Sequence, residues 1–170
     1  MNGVAENSIK IVVSKARSMM IHCSLHWPDE YDVCLWPMAM SYATTLYNNL
    51  PNRESGIAPA EVFSKTVSNY ETLRNAHVWG CPVCVLDPKL AGGGGKLPKW
   101  QPRSRRGQFM GTSPLYSETV PMVRNLSTGR ITSQFHVVVD ELFETVSSSS
   151  SDDTPPPFLG RPEHIPTLLD

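Results

Sequence analysis

The hydrophobic pattern changes period part-way along the chain, and this change restricts the fold more than any other feature. Apolar residues recur at Ala5, Ile9, Val12, Ala16, Met19 and Cys23, at spacings that alternate between four and three. That spacing puts them on one face of a helix over residues 4–24, entered from an Asn2-Gly3 turn. A second helix is expected from near Leu35, with Pro37 in its first turn, where a missing N–H costs nothing. Trp36, Ala39, Met40, Ala43, Leu46, Tyr47 and Leu50 keep helical spacing, and Asn49-Leu50-Pro51 ends it. Pro59 opens a short third helix in PAEVFSKT. From about residue 75 the pattern becomes that of strands. NAHVWGCPVCVLDP, RGQFMGTS, TVPMVRNL and RITSQFHVVVDELF are rich in β-branched and aromatic residues. Ser127-Thr128-Gly129 reads as a hairpin turn between the last two.

Short strands joined by Gly- and Pro-rich turns predict a small β-barrel. The expected class is therefore α+β: N-terminal helices over residues 1–74, a small barrel over 75–146 and a tail over 147–170. The tail begins SSSSSDDTPPP, is acidic and rich in Ser and Pro, and carries too little apolar surface to order itself.

Charge follows the same division. Residues 1–139 carry 14 Lys and Arg against 9 Asp and Glu, whereas residues 140–170 carry 1 against 7. A basic body with an acidic tail suits a nucleic-acid binder. The basic residues are most concentrated at Lys96, Lys99, Arg103, Arg105 and Arg106, interleaved with Pro98, Trp100 and Pro102. No acid occurs between residues 88 and 117. Such a segment can neutralise phosphates while Trp100 stacks on a base or sugar. A solvated basic loop and a nuclear-localisation patch are the other readings of the same residues. Pro98 and Pro102 keep the segment out of a helix, so its cations are expected on a loop or extended strand.

Other motifs carry less. Cys81-Pro-Val-Cys84 lacks the second ligand pair of a structural zinc site. It also lies in a strand-like run rather than at a helix start, so buried thiols are expected for this pair, and all four cysteines, Cys23 and Cys34 included, are expected to be reduced. GGGGKLP lacks the spacing of a phosphate loop. His77, His136, Trp27, Trp36 and Trp79 read as structural, the tryptophans as core. No nucleophile–base arrangement emerges, and no small-molecule substrate is expected. No segment has the length or apolarity of a membrane span, and no signal-peptide pattern is present.

Several stretches together resemble the integrase region of copia-type LTR retrotransposon polyproteins. They are NGVAE at 2–6, ARSMM at 16–20, WPDEYDVCLWPMAMSYATTLYNNLP at 27–51 and SGIAPAEVF at 55–63. WGCPVCVLDPKL at 79–90, PKWQPRSRRGQFMG at 98–111 and NLSTGRITSQFHVVVDELF at 125–143 continue the series. The resemblance implies that residues 1–74 correspond to the end of a ribonuclease H-like catalytic core of the DDE type. It implies that residues 75–146 correspond to the SH3-like domain that follows that core. In this family the GVAE glutamate is the last of three metal-binding carboxylates, and Glu6 stands at that position.

The other two carboxylates of the family triad lie upstream of the glutamate, and here five residues precede Glu6. Two-metal strand transfer needs several oxygen ligands for a pair of Mg²⁺ ions. The resemblance therefore implies a catalytically inactive fragment that needs no cofactor by itself, although the intact family enzyme uses Mg²⁺. Its implied partners are DNA, bound weakly and without sequence preference, and integrase protomers, and its implied location is nuclear. By spacing alone Glu6 is instead an exposed helical residue within reach of Lys10. The alternative for the whole chain is an SH3-like protein-interaction module with no DNA role. A further expectation follows from the implied missing core: the apolar face of the first helix, with Val12, Met19 and Met20, should be partly exposed.

Overall fold

The computed structural model describes residues 2–67, 70–91, 96–117 and 119–146. Helix α1 spans Gly3–His26. The Trp27 N–H still bonds to the Cys23 carbonyl, and Pro28, with no N–H to offer, follows the last bonded turn. A 3-10 turn at Val33–Leu35 leads into α2, Trp36–Asn49, with Pro37 in its first turn as expected. Short helices α3 (Pro59–Ser64) and α4 (Glu71–Arg74) follow. The Glu61 carboxylate accepts from the Ala58 N–H at 2.8 Å, closing the open start of α3.

Beyond residue 80 the chain forms β1 (Pro82–Leu86), the short helix α5 (Pro88–Ala91), β2 (Ser104–Thr112), β3 (Pro121–Asn125), β4 (Ile131–Ser133) and β5 (Val137–Val139). The predicted β3–β4 hairpin is present, with Gly129 in the left-handed region at φ 70°. The class is α+β, but the expected barrel is not closed. The five strands form one antiparallel sheet in the order β4-β3-β2-β1-β5. Two features account for the open sheet. The run at 130–143 does not make one long strand; it splits into two three-residue strands at opposite edges. The apolar side of the sheet also meets helices, so its core is filled without closure.

Val83, Val85, Phe109 and Val123 lie on one face of the sheet and are buried. They join Val12, Ala16, Met20, Cys23, Trp27, Ala39, Tyr42 and Ala43 in one hydrophobic cluster. Ala16, Ala39 and Ala43 are small enough to let α1 and α2 approach closely. The expected exposure of the α1 face holds at Ile9 but not at Val12 and Met20. Val12 and Met20 are buried and Met19 is half-buried, because α2 and the turn before β1 supply the surface that a longer core was expected to supply. Apolar residues that remain exposed on α1 are Val4, Ile9, Ile11 and Val13, all in its first half.

The helical layer is tied to the segment before the sheet at residues 77–80. The Trp27 indole N–H donates to the Gly80 carbonyl at 2.7 Å. Tyr42 donates to the His77 carbonyl at 2.8 Å and accepts from the His77 N–H at 3.0 Å. Trp27 and Trp79 are core residues, as expected. Trp36 is not: it is 58% exposed. It opens α2, one turn before Ala39, and lies beyond the surface that α1 and the sheet cover. Residues 147–170, expected to form a disordered tail, lie outside the described residues, as does the glycine run at 92–95.

Candidate nucleic-acid interface

The basic segment divides between a loop and the start of a strand. The Leu86↔Ser104, Val85↔Arg105 and Cys84↔Arg106 pairs fix the beginning of β2 against β1. The Asp87 N–H bonds to the Arg103 carbonyl at 2.9 Å, extending that pairing by one step. Upstream, the Gln101 N–H bonds to the Pro98 carbonyl at 3.0 Å and closes a turn. Trp100 lies in this turn and is 90% exposed. The Lys99 ammonium sits 5.5 Å from the centre of its ring. Lys96, Lys99, Arg103, Arg105 and Arg106 are all exposed. Among the described residues none of the five pairs with a carboxylate.

Extended backbone separates two neighbouring cations. Successive side chains of a strand point to opposite faces, so Arg105 and Arg106 cannot serve one surface equally. Arg106 is held. Its Nη1 donates to the Thr145 carbonyl at 2.6 Å, and its guanidinium lies 5.4 Å from the centre of the Trp27 ring. Lys96, Lys99, Arg103 and Arg105 are the other exposed cations of the segment, with Lys99 beside the Trp100 ring, while Arg106 is also a structural residue.

The partner of Arg106 was not legible in the sequence, because Thr145 is 39 positions away. The segment bearing it is tied down by several contacts. The Asp140 carboxylate accepts from the Thr145 N–H and hydroxyl at 2.8 and 2.7 Å, and from the Glu144 N–H at 3.2 Å. These bonds, the Thr145 N–H first, hold the Asp140 carboxyl below its usual pKa. Phe143 is buried and stacks on His26 with ring centres 4.1 Å apart, meeting His22 edge-on at 5.1 Å. Burial lowers both histidine pKa values, and for His22 the neighbouring His26 lowers it further. His77 is a second residue with a role that spacing did not show: its Nδ1 lies 2.6 Å from a Glu141 carboxylate oxygen.

Glu6 lies in the first turns of α1, is exposed, and makes no ion pair with Lys10. Among the described residues no group of three His, Cys, Asp or Glu side chains could hold a metal ion. The residues present therefore do not fit the Mg²⁺ pair that the resemblance implies for the intact family enzyme. Cys23 and Cys81 are buried structural thiols, whereas Cys34 is exposed. Burial pushes the Cys23 and Cys81 thiols up to about 12, far from the thiolate needed for metal or redox chemistry. Cys84 is half-buried within β1. No helix of the described residues is long and apolar enough to cross a membrane.

Comparison with family models, with curated proteins and with solved structures returns no match. The functional reading therefore rests on the residues and their geometry.

Proposed function

We propose that this chain binds nucleic acid without sequence preference, through the turn and strand at residues 96–106. The observation that carries the proposal is Trp100. A large aromatic ring left 90% exposed on a turn, among displayed cations and far from any acid in sequence, is arranged to stack rather than to pack. In the same reading α1–α4 correspond to the end of a copia-type integrase core. Strands β1–β5 correspond to the SH3-like domain that follows it, here as an open sheet. Glu6 is then the remnant of a carboxylate triad. One carboxylate cannot hold two divalent ions, so these residues join no DNA ends by themselves. Other integrase protomers are the second partner this reading implies.

The test is the salt dependence of oligonucleotide binding. Replacing Lys99, Arg103 and Arg105 with Ala should weaken binding to all sequences alike. The slope of log K against log salt on duplex DNA should flatten by about two to three, at roughly 0.9 per phosphate released. An unchanged slope would remove nucleic acid from this segment. The competing reading, peptide binding with no DNA role, has its own support in an open cleft of about 370 Å³ beside β5. Cys84, Leu86, Ser104, His136 and Val138 line it. Peptide affinity that ignores salt, in a chain that binds no oligonucleotide, would favour that reading.

A further inference from the structure

His22 and His26 stand four residues apart on α1, so they share one face of the helix on successive turns. Their ring centres are 4.7 Å apart and their planes are inclined at 56°. Both values bear on metal binding. An imidazole nitrogen sits about 2.0–2.1 Å from a bound zinc-like ion, with its ring centre roughly 1 Å behind it. Two imidazoles on one tetrahedral or octahedral ion therefore have centres roughly 4.5–5.2 Å apart. Parallel stacked rings would keep their in-plane lone pairs in separate planes. Rings inclined at 56° have intersecting planes, so their lone pairs can converge on one point.

The surroundings leave the nitrogens open. Among the described residues neither ring makes an ion pair or a hydrogen bond. Neither ring contributes a nitrogen to the buried polar atoms left without a partner, so the nitrogens reach solvent. Phe143 stacks on the face of His26 at 4.1 Å and meets His22 edge-on at 5.1 Å. It orients the rings without occupying their in-plane nitrogens. Burial keeps both histidines below their usual pKa, so at pH 7.5 both imidazoles are neutral, the form that ligates metal.

We propose that His22 and His26 form a two-nitrogen binding site for a late first-row divalent metal ion, of the class of Ni²⁺, Cu²⁺ and Zn²⁺. Imidazole selects such ions, whereas Mg²⁺ and Ca²⁺ require oxygen ligands. Cys23 is not a third ligand, because it is buried with its sulfur beside Gly80. No third His, Cys, Asp or Glu joins the pair among the described residues. Water fills the remaining positions of the ion, which makes the site exchangeable, unlike a closed structural zinc centre. The bound ion ties the last two turns of α1 together. That end of the helix leads into Trp27, whose indole holds the Gly80 carbonyl, and it supports Phe143. The site is independent of the nucleic-acid reading.

The experiment strips the full chain with EDTA and adds Ni²⁺ at pH 7.5, with Mg²⁺ as the control ion. The Trp27 N–H bonds to the Cys23 carbonyl across the chelated turn, and fraying of that turn separates the two rings. Exchange of the Trp27 amide should therefore slow about tenfold when free Ni²⁺ is ten times its Kd, and Mg²⁺ should have no effect. His22→Gln and His26→Gln should each weaken Ni²⁺ binding by at least the roughly 10–100-fold that loss of a supporting contact costs at metal sites, and each should abolish the slowing. If a variant loses its helix content by circular dichroism, paramagnetic broadening in the unaltered chain decides instead. The ring resonances of His22 and His26 should broaden at lower Ni²⁺ than those of His77 and His136. Unchanged Ni²⁺ affinity in both variants, an unaltered Trp27 exchange rate, or broadening that begins at His77 or His136 would overturn the site.

Discussion

At the scale of single residues, two positions separate packing from binding. Gly80 has φ +81°, and a Cβ added there would lie 2.9 Å from the Cys23 sulfur. Gly80→Ala combines a left-handed backbone conformation with overpacking against α1. It should cost about 1–3 kcal/mol, read by denaturant unfolding. An unchanged midpoint would mean that the Trp79–Cys81 turn does not press on α1. Trp100 is the opposite case. Because its ring is 90% exposed, Trp100→Ala should leave the melting temperature unchanged. It should weaken single-stranded binding by about 1–3 kcal/mol if the ring stacks on a base. A drop in melting temperature would assign it to packing instead. Sequence alone leaves stacking open beside a solvated loop for this tryptophan, since cationic and proline neighbours occur in solvated loops as well as in binding loops.

Among elements, the segment from Asp140 to Val146 is the one whose attachment depends on pH. His22 and His26 have folded pKa values below 6.5 because the neutral rings are buried against Phe143. Unfolding lets them bind protons, so their contribution is present above about pH 6.5 and is lost as pH falls through that value toward the folded pKa. Asp140 acts in the same direction at lower pH. Its folded pKa lies below 3.8, so the stability from its bonds to Thr145 and Glu144 is present above 3.8 and lost as pH falls through the folded value. Hydrogen exchange at the Glu144 and Thr145 amides should therefore rise, relative to the sheet, as the pH is lowered from 7.5 to about 5.5 after correction for intrinsic rates. Constant protection over that interval would separate the histidines from the segment. The sequence pattern alone predicts a strand over 130–143, which includes the first residues of this segment. Alternation and β-branching are present, but Asp140 captures the backbone N–H groups that a continuing strand would have paired.

For the whole molecule, a single hydrophobic cluster runs from Val12 on α1 through Ala39 and Ala43 on α2 to Val83, Phe109 and Val123 in the sheet. The division at residues 74 and 75 is a change of secondary structure within that shared core. Chemical unfolding should accordingly be one cooperative transition, with coincident midpoints from far-ultraviolet circular dichroism, dominated by the helices, and from tryptophan fluorescence. Two separated transitions would show that the helices and the sheet fold independently.

The amino-acid sequence by itself determined the helical and strand segments, since a period of 3.6 or of 2 is a local property of side-chain order. It determined the α2 start at Pro37, the β3–β4 turn at Gly129, and the exposure of the cations at 96–106, whose prolines exclude a helix. Tertiary structure decided what those elements do to one another. It left the sheet open, because α1 and α2 fill the side that a barrel would have closed upon. It buried Val12 and Met20, exposed Trp36, and divided Arg105 from Arg106. It also brought Thr145 and His22 to places that no spacing encodes. Those outcomes depend on contacts between residues far apart in the chain, and a local periodicity holds no information about which distant surface will cover it.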